Sequence, residues 1–142
     1  MRIRRPAIDE FGSIKALVQS VVDEIYGGIW APAPLPIDDE DWSLAWVAVC
    51  GAKIVGMVLT SAEWIDDLWV LPEHRRKGVG RQLLLQAENE IADRGHPVFR
   101  LRVVESNANA VSFYKRMGWH VERQFAHEKL PIQMLEMSKP RR

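Results

Sequence analysis

Hydrophobic positions along this chain change period several times, and each change marks an element. The opening "MRIRRPA" alternates over a few residues and predicts a short first strand. Asp9 is placed to cap a helix behind it. In that helix Ile14, Leu17, Val18, Val21, Val22 and Ile25 recur at helical spacing and form one apolar stripe. Two strands follow, "SLAWVAVC" and "KIVGMVLTSAEW", joined by a tight turn at Gly51-Ala52, which reads as a hairpin. "IDDLWVLP" is a fourth strand ended by Pro72. From about Val79 to Arg94 the period returns to that of a helix, with Val79, Leu83, Leu84, Ala87 and Ile91 on one side and Gly95 as its terminator. "VFRLRVV" predicts a fifth strand and "NANAVSFYKRM" a short helix closed by Gly118. "WHVERQF" and "IQMLEM" are the last two strands, and the tail "SKPRR" reads as frayed. Between Tyr26 and Trp42 the periodicity lapses. Two glycines, three prolines and four consecutive acids predict a long loop there, with one helical turn near Asp38–Asp41. Loops of this length are uncommon in compact domains and often carry function.

The strand–turn–helix–strand unit from Ile65 to Val104 is long enough for a crossover, so its two strands should be parallel. Hairpins account for the rest. The fold class is α/β, a mixed sheet flanked by helices, and 142 residues suit one domain spanning 1–142. Apolar residues at 47% and charged residues at 27% argue against disorder. Lys and Arg (19) balance Asp and Glu (19), which argues against a dedicated nucleic-acid binder. No run approaches the ~20 apolar residues a membrane span needs. The N-terminus turns acidic where a signal peptide would be apolar. The single cysteine, Cys50, lies in the apolar run "AWVAVC" and reads as a buried hydrophobe in a reducing, cytoplasmic setting. His74, His96, His120 and His127 have no ligand-like spacing, so no metal site is expected.

Chemistry concentrates in "LPEHRRKGVGRQLL", Leu71 to Leu84. A helix N-terminus carries unpaired N–H groups and about half a positive charge. Glycines there let a bulky anion approach the backbone. Gly78 and Gly80 clear space, and Arg75, Arg76, Lys77 and Arg81 supply charge. The stretch is neither a P-loop nor a dinucleotide fingerprint. Read alone it is equally a phosphate cradle or a solvated basic turn. Its place after a parallel strand favours the cradle, because ligands of open sheets sit beyond the carboxyl ends of such strands. The next parallel strand ends at Val104, and Asn107 and Asn109 follow. Each is available to a ligand or to cap a helix.

"VLPEHRRKGVGRQLL" resembles the acyl-CoA-binding motif of the GNAT superfamily of N-acetyltransferases, R/Q-x-x-G-x-G/A, with Arg75, Gly78 and Gly80 at its fixed positions. "SNANAVSFYKRMGW" resembles the same family's N-x-x-A-x-x-F/L-Y-x-x-x-G-F/W segment through Asn107, Ala110, Phe113, Tyr114, Gly118 and Trp119. The resemblance implies a mixed sheet of six or seven strands in which the fourth and fifth splay apart and acetyl-CoA, the acyl donor, enters the gap. Backbone groups of Trp69, Val70 and Leu71 would pair with the pantetheine, beside a bulge in the fourth strand. N–H groups of Arg76, Lys77, Gly78, Val79, Gly80 and Arg81 would hold the pyrophosphate. Arg75 would position that loop, and Asn107 would contact the cofactor.

The implied reaction is direct attack of an amine on the thioester in a ternary complex. A backbone N–H near Val70 would receive the oxyanion. Tyr114 is the implied general acid for the leaving thiolate, against the plainer reading that it packs beside Phe113. The amine, only about 0.04% neutral at pH 7 if its pKa is ~10.4, needs a base. Asp66 and Asp67 are the candidates, with Glu63 and Glu105 also at strand ends; each is equally readable as a solvated charge. The acceptor is a small-molecule amine or a peptide or protein amine. Neither nucleic acid nor membrane is expected as a partner, and a homodimer is possible, as in many relatives. The Tyr26–Trp42 loop, flanked by Trp30 and Trp42, would wall the acceptor pocket, its acids favouring a cationic amine. The alternative function is a non-catalytic acyl-CoA-binding or sensor module on the same fold.

Overall fold

The computed structural model describes residues 1–141. Its strands are β1 (Arg2–Arg4), β2 (Trp46–Cys50), β3 (Lys53–Ser61), β4 (Trp64–Val70), β5 (Val98–Val104), β6 (His120–Ala126) and β7 (Gln133–Pro140). Its helices are α1 (Phe11–Tyr26), α2 (Val79–Asp93) and α3 (Ala108–Arg116). One seven-stranded sheet runs in the order β1-β2-β3-β4-β5-β7-β6. Every pairing is antiparallel except that of β4 with β5.

The apolar stripes predicted for α1 and α2 are the faces they bury. Ile14, Leu17, Val18 and Val21 of α1 pack with Val47, Val49, Met57 and Leu59 on one side of the sheet. Val79, Leu83, Leu84, Ala87 and Ile91 of α2 pack on the other with Val55, Val58 and Leu101, and with Tyr114 and Trp119. Strand alternation sends Met57 to one core and Val58 to the other, as a sheet covered on both faces requires. Gly56 lets α2 come close. A Cβ there would lie 3.0 Å from Leu83 Cδ1 and 3.2 Å from the Trp69 carbonyl.

β4 and β5 share only the pairs Trp64↔Arg100 and Ile65↔Leu101. Beyond Ile65 they part, while β5 stays paired with β7 along its full length. This places an open V at their carboxyl ends.

Several local expectations are corrected. Asp9 does not cap α1: it sits in a 3₁₀ turn, Ile8–Glu10, where Glu10 takes the Ala7 N–H at 2.8 Å and pairs with Arg4. Trp64 opens β4 rather than ending β3, because the turn falls at Ala62-Glu63. The turn expected within Asp38–Asp41 forms one step later, at Trp42–Leu44, with Asp41 accepting the Ser43 N–H at 3.1 Å. Cys50 is half-buried at the hairpin end, since the strand leaves the core there. The tail is not frayed through Arg141. Ser138 and Lys139 are buried in β7, Lys139 Nζ meets Glu88 at 2.9 Å, and the Arg141 N–H bonds Pro97 O. Buried pairing with an acid is what lets a lysine-bearing end join the sheet. Arg142 lies outside the described residues.

Candidate active site

The turn after β4 is shaped by two left-handed residues at the mouth of α2. Pro72–His74 forms a 3₁₀ turn, and Arg76 and Gly78 take left-handed conformations, φ 61° and 85°. Gly78 is the residue before α2, and the first helical bond is Gln82 N–H to Gly78 O. The N–H groups of Val79, Gly80 and Arg81 therefore have no partner within the helix. A Cβ at Gly80 would meet Phe113 at 3.6 Å and Val70 at 3.8 Å. These are ordinary contacts, and the space at Gly80 is bounded by Phe113 of α3 and Val70 of β4.

Arg75 does not reach toward that space. Its Nε donates to Val70 O at 3.1 Å, and its two terminal nitrogens grip Glu24 of α1 at 2.7 and 2.6 Å. The bond to Glu24 is the main reason its pKa is raised further. Arg75 thus ties the turn to β4 and α1.

Of the three positions expected to offer backbone groups to a ligand, only Val70 turns them away from β3. Leu71 donates its N–H to Val55 O at 2.9 Å and accepts from His74 N at 3.0 Å, so both its groups are taken. In an antiparallel ladder a hydrogen-bonded position alternates with one whose groups point away. With Leu71 bonded to β3, Trp69 also faces β3, while Val70 and Leu68 face the gap. Leu68 escaped the sequence reading, although its alternation with Val70 carried the signal. The bulge in β4 lies at Asp66, where Leu59↔Asp67 is followed by Thr60↔Ile65. That is upstream of the expected Trp69–Leu71.

Tyr114, in α3, is buried against Phe113 and Trp119, with ring centroids 5.4 and 6.0 Å away. Desolvation pushes its phenol well above the ordinary value, and the Tyr26 phenol adds to the shift. Asn107 is fully engaged: Oδ1 accepts the Ala110 N–H at 3.3 Å as the α3 cap, and Nδ2 donates to Tyr26 Oη at 2.9 Å. Asn109 is the second residue of α3 and is not its cap.

The long loop delivers the remaining groups. Its Leu35 is buried, with its N–H bonded to Asp23 and its carbonyl to Gln19, each at 2.8 Å. Downstream of that clamp, Glu40 comes against β4. The Glu40 carboxyl is raised to about 8, first by desolvation, then by its bond to Asp67 and by the charges of Asp67, Asp66 and Asp38. Asp67 accepts the Trp69 indole N–H at 2.9 Å on one oxygen, and its other oxygen is buried. Asp66 accepts from Ser61 Oγ at 2.6 Å, and its carboxyl is also raised, chiefly by desolvation. A cleft of about 490 Å³ opens beside them, lined by Asp38, Glu40, Trp64, Ile65, Asp66 and Arg102. Glu63 stands outside it, 4.0 Å from Arg100, and the Glu105 N–H bonds Gln133 O. Of the loop tryptophans, Trp30 packs on Tyr26 at 5.4 Å and Trp42 is buried in the α1 core. Glu40 and Tyr26 were not singled out by the sequence: one was a member of an acidic run, the other the first residue of the long loop.

Among the described residues no helix is long and apolar enough to cross a membrane, and no group of three or more His, Cys, Asp or Glu is arranged to hold a metal ion.

Thialysine N-epsilon-acetyltransferase of Sus scrofa is 34% identical over 55 residues, 39% of this chain and 32% of that protein. The peptidyl-lysine N-acetyltransferase YjaB of Salmonella typhimurium is 38% identical over 77 residues, 54% of this chain and 50% of that protein. The chain thus spans about a third to a half of the length of these relatives. The crystal structure of ribosomal-protein-alanine N-acetyltransferase from Brucella melitensis superposes with a TM-score of 0.77 at 16% identity, covering 99% of each chain. That likeness establishes the fold. The model of the acetyltransferase (GNAT) family matches residues 16–119, a segment that holds most of α1, the acid-bearing loop, the parted strands and Tyr114, and the chain belongs to that family.

Proposed function

We propose that this chain, acting as one domain, transfers an acetyl group from acetyl-CoA to a cationic primary amine by direct attack in a ternary complex. The observation that carries the reading is the V between β4 and β5, which leaves the Val70 N–H facing the gap at the mouth of α2. In this reading the pantetheine lies along the free edge of β4, using Val70 and Leu68. The pyrophosphate rests on the N–H groups of Val79, Gly80 and Arg81, with Arg76 and Lys77 adding charge.

The chemistry follows from the groups around the gap. The neutral amine attacks the thioester carbonyl carbon, and a β4 N–H receives the developing oxyanion. The carbon–sulfur bond breaks, and Tyr114 gives its proton to the departing thiolate. The amine's own proton goes to the Glu40–Asp67 carboxyl pair. A base near pH 8 suits an alkylammonium better than an ordinary carboxylate, because the proton transfer is less uphill. Asp66 and Asp38 hold negative charge at the same cleft, which favours a cation over a neutral amine. The relatives named above carry thialysine and peptidyl-lysine in their names, and a lysine-type amine fits this acidic wall.

An amine panel with acetyl-CoA, read by released thiol, tests the proposal. Lysine-type amines are expected to turn over faster than neutral or acidic ones. CoA binding without thiol release on any amine would instead support the acyl-CoA-binding module.

A further inference from the structure

α1 ends on Tyr26 where the sheet opens. The Tyr26 ring stands edge-on to Trp69 of β4, with centroids 6.3 Å apart, and packs in one cluster with Leu35 and Val104 of β5. One phenol therefore bridges the ends of both parted strands. It is 7% exposed, so its hydroxyl must find its partners inside the protein or in a bound ligand.

The polarity of its one hydrogen bond is fixed. Asn107 Oδ1 accepts the Ala110 N–H, so the group 2.9 Å from Tyr26 Oη is the amide NH₂. The Tyr26 oxygen is the acceptor in that pair, and its own hydrogen has no acceptor among the described residues. Burial raises the pKa of the Tyr26 phenol, and Tyr114, a second buried phenol, is raised by its own burial and by Tyr26, which keeps both as donors.

We propose that Tyr26 is a second phenol donor in the acyl-transfer site, with its hydrogen held by Asn107 toward an oxygen or sulfur of the bound thioester. Asn107 is then a positioning residue, and no bond to Tyr26 is made or broken. The hydroxyl stabilises negative charge that appears as the carbon–sulfur bond opens. This inference rests on the acetyltransferase reading of the cleft.

The decisive variant is Asn107→Asp. Aspartate keeps an oxygen for the Ala110 N–H and is among the best helix caps. It also replaces the NH₂ donor by an acceptor, so the Tyr26 hydrogen turns away from the ligand. With the amine found above, Asn107→Asp and Tyr26→Phe should each lower kcat by about tenfold or more. The KM for acetyl-CoA should move by less than about threefold, and the double variant should be no slower than Tyr26→Phe. Thermal unfolding of Asn107→Asp should match the parent, a pairing that a purely structural role for Asn107 does not give. An unchanged kcat in either single variant overturns the inference while the acetyltransferase reading stands. Absence of turnover in the parent protein on every amine overturns both.

Discussion

On one flank of the proposed site the groups are main-chain: the N–H of Val70 and those of Val79, Gly80 and Arg81, all within one continuous segment. On the other flank they are side chains from four places: Tyr26 at the end of α1, Glu40 in the loop, Asp66 and Asp67 at the β4 bulge, and Asn107 before α3. A backbone site needs particular φ/ψ values, and those select glycine at fixed spacing. A side-chain site needs only that distant segments meet, which no local pattern records. The first kind is rigid and tolerant of its surface residues. The second is set by packing, here by the Gln19–Asp23 clamp on Leu35, and it titrates.

The largest effect is expected at Tyr114, the proposed acid, which is buried beside Phe113 and Trp119. Tyr114→Phe should lower kcat by about 10²–10⁴ with the KM for acetyl-CoA nearly unchanged, measured by thiol release. Retention of full turnover would return Tyr114 to core packing.

Glu40→Gln tests the side-chain flank, with an expected loss of about 10–100-fold in kcat/KM near pH 8. Catalysis by this base requires its ionised form, so the acid limb of the parent's kcat/KM profile should have its midpoint near 8 and disappear in the variant. Stability runs the opposite way. The raised carboxyl holds a proton in the folded state that the unfolded chain loses, so its contribution is full below the ordinary 4.5 and falls as pH rises through about 8. The melting temperature of the parent should therefore decline over that window more steeply than that of Glu40→Gln. Parallel curves would remove Glu40 from the role.

Gly78→Val tests the backbone flank. A β-branched residue at φ 85° costs about 1–2 kcal/mol and disturbs the N–H groups beside it. The expected result is a rise of about tenfold in the KM for acetyl-CoA, with the KM for the amine unchanged. If both KM values rose together, the two flanks would not be separable.

The smallest effect is expected from Glu24→Gln, which frees Arg75 from α1. The pair is partly exposed, so stability should change by about 1 kcal/mol or less. A rise of about two- to fivefold in the KM for acetyl-CoA would show that Arg75 works by holding the turn. A fall would mean that Arg75, once released, binds phosphate itself.

These contrasts mark how far the sequence could be read. The stripes of α1 and α2, the crossover from Ile65 to Val104, the glycine turn and the two family segments were legible, because each depends on residues close together in the chain. The acids of the loop were visible as a run, but nothing in "DDED" separates Glu40, which meets Asp67, from Asp39, which pairs with Lys15 at 3.2 Å. Asn107 was expected to cap or to bind a ligand. It caps with one end of its amide and holds Tyr26 with the other.

What the sequence by itself determined is the fold and the donor turn, since periodicity, glycine φ and helix-end N–H groups are local physics. The tertiary structure alone decided which β4 groups face the gap, because a single bulge at Asp66 sets that register. It also decided which acid of the loop reaches the cleft and which way the Tyr26 hydrogen points, because both depend on segments as far apart in the chain as Tyr26 and Asn107 being packed into contact.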